Sequence, residues 1–285
     1  MLVAQTIDAT RAHLAAARRS GHRIGLVPTM GALHAGHRAL IERARRSCGY
    51  VVVSIFVNPQ QFGPNEDYER YPQPIEADLD VCRADEVDLV FHPAGSEMYP
   101  DEGLTTVRVD HLTDGLCGAD RPGHFDGVAT VVAKLFNIVQ PDRAYFGEKD
   151  FQQLAVVRRL VRDLDWPIEV LGCPTVREPD GLAISSRNRY LDPQQRRQAA
   201  CLYRALRRAA DAVAAGSVAA AVLQAGIERD LRAAGPVEID YVRIVDPDTL
   251  EDVERIGQRA RICLAVRIGP CRLIDNLAVS RIEDP

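Results

Sequence analysis

Four short runs in the first 146 residues, Ile24–Val27, Tyr50–Val57, Val87–Phe91 and Arg143–Phe146, are apolar almost without interruption. A strand with one wet face alternates apolar and polar residues, so near-continuous runs of this kind belong to strands covered on both faces. Helical spacing of apolar residues marks the stretches around 37–48, 76–84, 127–139 and 150–163, and an amphipathic helix runs from about Asp8 to Arg19. The alternation predicts an α/β fold with a Rossmann-like, doubly wound parallel sheet, whose ligand crevice opens at the C-terminal ends of the strands. No GxGxxG is present, which argues against a nicotinamide or flavin dinucleotide.

The pattern changes past Gly181. Asp192-Pro193 opens a long alanine- and arginine-rich helix reaching about Ala215, and a second helix runs from about Val218 to Ala234. Three strand-like runs follow, Val237–Val245, Ala260–Arg267 and Cys271–Ala278, close enough to pair as an antiparallel meander. The expected organisation is a Rossmann-like nucleotide- and acid-binding domain over 1–178. A smaller C-terminal α+β domain with a short antiparallel sheet, over 179–285, is expected to close over the site.

The polar motifs fall just after the expected strand ends. Val27-Pro-Thr-Met-Gly-Ala-Leu-His-Ala-Gly-His37 joins a buried strand to a helix, a turn that offers backbone N–H groups and a positive dipole end to an anion. His34 and His37 share one helical face there, and Gly36 removes a side chain that would keep a phosphate from the backbone. Phe56-Val-Asn-Pro-Gln-Gln-Phe62 places the amides of Asn58 and Gln61 at a strand end, and the Gly- and Pro-rich stretch 63–74 behind it reads as a lid. Tyr145-Phe-Gly-Glu-Lys-Asp-Phe-Gln-Gln-Leu154 repeats the strand–glycine–helix logic. In it Lys149 is a point charge suited to phosphate, Asp150 is either a capping acid or a ribose contact, and Gln153 lies on the same face. Ser185, Ser186 and Arg187 form a compact set of hydroxyls and a guanidinium fit for pyrophosphate. Each stretch has a plainer reading: a turn with surface histidines, an Asn-Pro turn, a solvated lysine, a polar linker.

Composition narrows the partners. With a net charge of −5 and a pI near 5.8, nucleic acid is not expected. Seven cysteines are scattered without a CxxC pair, the usage of a reducing cytosol. No apolar run approaches the length of a membrane span, and the N-terminus carries no signal-peptide pattern, so a cytoplasmic location is expected.

Taken in order, Pro-Thr-Met-Gly-Ala-Leu-His-x-Gly-His, Phe-Val-Asn-Pro-x-Gln-Phe, Phe-Gly-Glu-Lys-Asp-x-Gln-Gln and Ser-Ser-Arg-Asn-x-Tyr-Leu resemble the pantothenate synthetase (pantoate–β-alanine ligase) family. Arg121-Pro-Gly-His-Phe-Asp-Gly-Val-Ala-Thr-Val-Val is a fifth match. That family lies within the superfamily of class I aminoacyl-tRNA synthetases and nucleotidylyltransferases, whose HIGH and KMSKS elements the first and fourth stretches resemble. The resemblance implies ATP-dependent condensation of pantoate with β-alanine, through pantoyl adenylate, releasing AMP and pyrophosphate. It implies that His34 and His37 line the triphosphate, with His37 as proton donor, although a carboxylate attacking phosphorus needs no base. It assigns Met30, Gly31, Gly36, Gly147, Lys149, Asp150, Val176, Ile184, Ser185, Ser186 and Arg187 to ATP. Gln61, Gln153 and Asn58 fall to pantoate, Gln61 also to β-alanine, and Lys149 joins the two histidines as catalytic. Mg2+ is implied with ATP, bound through phosphate oxygens and water without a protein cage, and a homodimer is implied as the assembly. Asp78 and Asp80 are possible helpers for the metal, but at i and i+2 on a helix they read as solvent-facing.

Three other readings have distinct signatures. A tRNA synthetase needs an anticodon-binding region and a basic face. A plain nucleotidylyltransferase releases its adenylylated product and has no use for the Gln61–Gln153 pair. A nucleotide sensor binds ATP without forming AMP.

Overall fold

In the computed structural model every residue is described except 65, 67, 102 and 282–285, so part of the 63–74 stretch and the end of the expected second domain lie outside the described residues. The chain divides into two units, one made of 1–110, 121–148 and 156–174, the other of 111–120, 149–155 and 175–285.

The first unit is built on six parallel strands: β1 (Leu2–Ala4), β2 (Ile24–Thr29), β3 (Tyr50–Ile55), β4 (Leu89–Phe91), β5 (Arg143–Gly147) and β6 (Glu169–Cys173). Their order in the sheet is β1-β4-β3-β2-β5-β6. The chain steps outward from β2 through β3 to β4 and then crosses back to place β5 on the other side of β2. The β2–β5 boundary is therefore the topological switch point, where doubly wound sheets bind ligands. Ile24, Leu26 and Val27 of β2 and Val51, Val52 and Val53 of β3 are fully buried, as strands covered on both faces require. Leu40, Ile41 and Ala44 of α2 (Ala35–Arg45) and Leu79 and Cys82 of α3 (Ile75–Ala84) pack against Val27, Val51, Val53 and Val90. After the one-turn helices α4 (Gly95–Met98) and α5 (Cys117–Asp120) comes α6 (His124–Val139), which packs with α1 (Ile7–Arg19) on β2. Two strands escape the periodicity argument, β1 and β6. Both are edge strands with half-exposed residues, so neither shows a continuous apolar run.

In the second unit β7 (Glu238–Val245), β8 (Arg259–Ile268) and β9 (Cys271–Ser280) form an antiparallel sheet in chain order. One face buries Ile262, Leu264, Val266, Leu273 and Val279 against α9 (Cys201–Ala214) and α10 (Ala220–Ala233). The other face meets the two segments borrowed from earlier in the chain: Leu116 packs on Val245 and Cys263, and Phe151, the first residue of α7 (Phe151–Asp163), lies under the Arg261 guanidinium. The single helix expected from Asp192 is two, α8 (Pro193–Ala199) and α9, joined through Ala200. Ala200 holds φ −62° and ψ −13°, a tightened helical turn that no glycine or proline announces. The start is as expected: the Asp192 carboxylate accepts the N–H groups of Gln194 and Gln195, both at 2.8 Å, with Pro193 in the first helical position. Among the described residues no helix is long and apolar enough to cross a membrane.

Candidate active site

The turn after β2 is held from below. Thr29 Oγ1 donates to the Ser54 carbonyl at 2.7 Å and accepts the Gly31 N–H at 3.2 Å. Gly31 and Ala32 then take positive φ, 83° and 51°, which turns the Ala32 and Leu33 amides toward Asp78. Asp78 Oδ2 accepts the Ala32 N–H at 2.8 Å and Oδ1 the Leu33 N–H at 2.7 Å. At 2% exposure, Asp78 does not face solvent as the helical spacing suggested; the fold of the turn above it decides its environment. A Cβ at Gly31 would stand 2.9 Å from Asp78 Oδ2, so that position requires glycine for space as well as for φ. Asp80 pairs with Arg83 at 2.5 Å on the exposed side of α3.

His34 caps α2 with its ring, Nδ1 accepting the Gly36 N–H at 3.1 Å, while His37 Nδ1 accepts the His34 N–H at 3.3 Å. An imidazole whose Nδ1 accepts carries its proton on Nε2 when neutral, so both rings become Nε2–H donors. Their centroids are 4.1 Å apart. Gly36 has a reason beyond ligand access, because a Cβ there would lie 2.9 Å from His34 Cε1 and expel the capping ring.

Beyond β3, Asn58 is 1% exposed and its amide is fully engaged. Nδ2 donates to Gln61 Oε1 at 3.2 Å and to the Gly127 carbonyl at 3.1 Å, while Oδ1 accepts the Tyr99 hydroxyl at 2.9 Å. Burial pushes the Tyr99 hydroxyl up to about 12, so it remains a donor. Gln61 Nε2 donates to Met30 Sδ at 2.9 Å, a weak acceptor that a carboxylate or hydroxyl readily displaces. The Gln61 carbonyl accepts from His124 Nδ1 at 2.8 Å and Arg121 Nη2 at 3.2 Å. Arg121 also grips Glu66, within the expected lid, with Nε to Oε1 at 2.6 Å. Burial opposes ionisation of Glu66, but hydrogen bonding to Arg121 and its charge hold the carboxyl below its ordinary value. Arg121, His124 and Gly127 lie in the fifth motif, where nothing local in the sequence ties them to Gln61, some 60 positions away.

α6 presses on the Pro59–Gln61 turn so closely that a Cβ at Gly127 would stand 2.2 Å from the Gln60 carbonyl oxygen and 2.6 Å from Gln61 N. These are backbone atoms and cannot swing aside. Gly127→Ala is therefore expected to cost about 1–3 kcal/mol of stability by overpacking. Because it also moves Gln61, which the resemblance assigns to pantoate, the pantoate KM should rise. Urea unfolding together with steady-state kinetics checks both, and wild-type values in each would show that α6 shifts freely.

In the second unit, Lys149 is 21% exposed, with Nζ 3.8 Å from the half-exposed Asp150 carboxylate. Gln153, half-buried, is the third residue of α7, while the neighbouring Gln152 is buried and structural, bonded to Leu112, Gly115 and Cys117. Val176 and Ile184 face each other in a small hairpin, the Ile184 N–H donating to the Val176 carbonyl at 3.0 Å. Ser185 follows directly and accepts the Arg187 N–H at 3.3 Å, opening the 3₁₀ turn Ser186–Tyr190. In the first unit, Gly147 ends β5 with open space where a side chain would stand.

The family model for pantoate–β-alanine ligases matches residues 2–278. The chain is 55% identical to the pantothenate synthetase of Moorella thermoacetica over 98% of its own length and 99% of that protein's. It superposes on the crystal structure of pantothenate synthetase from Thermus thermophilus with a TM-score of 0.92, at 51% identity, covering 97% of this chain and 99% of that one. The pantoate–β-alanine ligase of Francisella tularensis, solved in complex with Beta-gamma ATP and β-alanine, superposes with a TM-score of 0.81 at 35% identity over 97% of both chains. A match of this length and identity shows that the chain belongs to the pantoate–β-alanine ligase family.

Proposed function

We propose that this chain joins pantoate to β-alanine at the expense of ATP, giving pantothenate, AMP and pyrophosphate by way of pantoyl adenylate, and that the residues above divide that work. The family match carries the reaction. The histidine turn carries the chemistry: two Nε2–H donors at the N-terminal end of α2 suit charge developing on phosphate oxygens. His34 and His37 act as stabilisers in this reading, since a pantoate carboxylate attacking the α-phosphorus brings its own negative charge. Met30, Gly31, Gly36 and Gly147 frame ATP by backbone approach. Lys149 takes the phosphates, Asp150 the ribose side, Val176 and Ile184 the adenine side, and Ser185, Ser186 and Arg187 the pyrophosphate. Gln61 and Gln153 hold pantoate, and Gln61 contacts the incoming amine. Asn58 serves mainly by fixing the Gln61 amide.

Mg2+ belongs to the reading as the companion of ATP. The assigned phosphate contacts are imidazole N–H, ammonium, guanidinium and hydroxyl donors, a set that fits anions, while both Asp78 oxygens are engaged by backbone amides. The ion would be held mainly through phosphate oxygens and water, where it would neutralise charge. A homodimer in the cytoplasm completes the reading, the location resting on cysteine usage.

The deciding experiment is pyrophosphate release from ATP and pantoate, with and without β-alanine. One turnover without the amine, and steady AMP with amide once it is added, is the expected result. Turnover with a nucleotide monophosphate in place of pantoate would make the chain a plain nucleotidylyltransferase, and ATP binding without release would make it a sensor. Within this scheme Gln61→Ala is expected to raise the pantoate KM by roughly 10- to 100-fold, the loss of a hydrogen bond to a charged group, and the ATP KM far less. Equal rises for both substrates would remove Gln61 from the pantoate site.

A further inference from the structure

Two consecutive residues of β9, Asp275 and Asn276, are 2% and 5% exposed and have no part in the reaction scheme above. Neighbours in a strand face opposite sides, so each reaches a different segment. Asp275 receives Arg177 in a bidentate pair, Nη1 to Oδ2 at 2.7 Å and Nη2 to Oδ1 at 2.9 Å. The same guanidinium donates to the Gly181 carbonyl at 3.0 Å and stacks 4.0 Å above the Tyr203 ring, so one buried carboxylate clamps the hairpin that leads into Ser185–Arg187. On the other face, Asn276 Nδ2 donates to the Lys149 carbonyl at 2.8 Å, and Oδ1 accepts Arg261 Nε at 2.8 Å. Arginine offers only donors, which forces the amide oxygen toward Arg261 and the NH2 group toward Lys149. Arg261 is itself buried and seated 4.0 Å above the Phe151 ring, just past Lys149 in the chain.

We propose that Asp275 and Asn276 are positioning residues for the phosphate grip. Asn276, oriented by Arg261, sets where the Lys149 backbone sits, and Asp275 sets the hairpin that delivers Ser185, Ser186 and Arg187. The inference rests on the reading that these four residues take the ATP phosphates. One strand thus references two chain segments, well separated in sequence, to a common frame, and a displacement of either by about 1 Å costs on the order of 10²-fold in rate.

Asn276→Asp is the informative substitution. It keeps the size and the acceptor for Arg261, whose charge compensates the new carboxylate, but turns an oxygen toward the Lys149 carbonyl. Asn276→Ser, which introduces no charge, serves alongside it should the first variant fold poorly. Single-turnover pyrophosphate release is expected to slow by about 10²-fold, with the pantoate KM unchanged. The double variant Lys149→Ala/Asn276→Asp should be no slower than Lys149→Ala alone, because the effect passes through Lys149. Wild-type speed in both Asn276 variants, or losses that multiply in the double variant, would overturn the inference while the phosphate reading stands. Wild-type speed in Lys149→Ala would overturn that reading and the inference with it.

Discussion

Lys149→Ala is expected to slow pantoyl-adenylate formation by roughly 10²–10³-fold while leaving the unfolding transition unchanged. The two halves of this expectation have separate causes. The ammonium is a compact point charge only 21% exposed, and preorganised charge aimed at developing phosphate charge is worth most where water is kept away. Its contribution to folding is small: the contact to Asp150 spans 3.8 Å, the partner is half-exposed, and ion pairs of that kind contribute about 0–1 kcal/mol. What ties this residue to the fold is its carbonyl, held by Asn276, and alanine retains that bond. Rapid-quench measurement of pyrophosphate, with a thermal melt on the same sample, checks both halves. A variant of near-normal rate would remove Lys149 from the phosphates. Lys149→Arg should recover only part of the rate, since a planar fork does not reproduce a compact ammonium.

How far such residues can be read in advance depends on where their partners lie in the chain. The central strands were legible because β2 and β3 are buried on both faces and show it as unbroken apolar runs. β1, three residues long with two exposed, and β6, which begins at an exposed Glu169, lack that pattern because an edge strand has less surface to hide. The histidine pair, the amides of Asn58 and Gln61, Lys149 and the Ser185–Arg187 run could be named as candidates for a different reason, being local motifs that the sequence shows whole. The residues that hold them could not. Asp78 is 45 or more positions from the amides it binds, Arg121 is 60 from the Gln61 carbonyl, and Asn276 is 127 from that of Lys149. No periodicity connects such pairs, and an acidic residue on an amphipathic helix looks solvent-facing until the turn above it is known. The assignment of 111–120 and 149–155 to the second unit is illegible for the same reason, since it follows from the far face of a sheet formed much later in the chain.

Asp78→Ala is expected to be the most damaging single change to the first unit. It strands the Ala32 and Leu33 N–H groups in a site where Asp78 itself is 2% exposed. Each orphaned buried donor costs about 1–3 kcal/mol, so the loss should be about 2–6 kcal/mol against a typical stability of about 5–15. Losing these bonds also frees the turn to depart from its native shape, because Ala32 occupies φ 51°, which an L residue adopts at a cost of about 1–2 kcal/mol. Asp78→Asn separates the contributions. One amide oxygen still accepts, but the NH2 group meets a second N–H, so roughly half of the loss should remain. The catalytic effect follows from position: His34 is the next residue after the two bonded amides, and its ring caps α2. At temperatures well below the transition, both variants should release pyrophosphate about 10²-fold more slowly than wild type, the scale of an ångström of misplacement. Urea titration and single-turnover kinetics on the same preparations test this. Full activity in a destabilised Asp78→Asn would mean that the turn supports the fold but does not set the histidines.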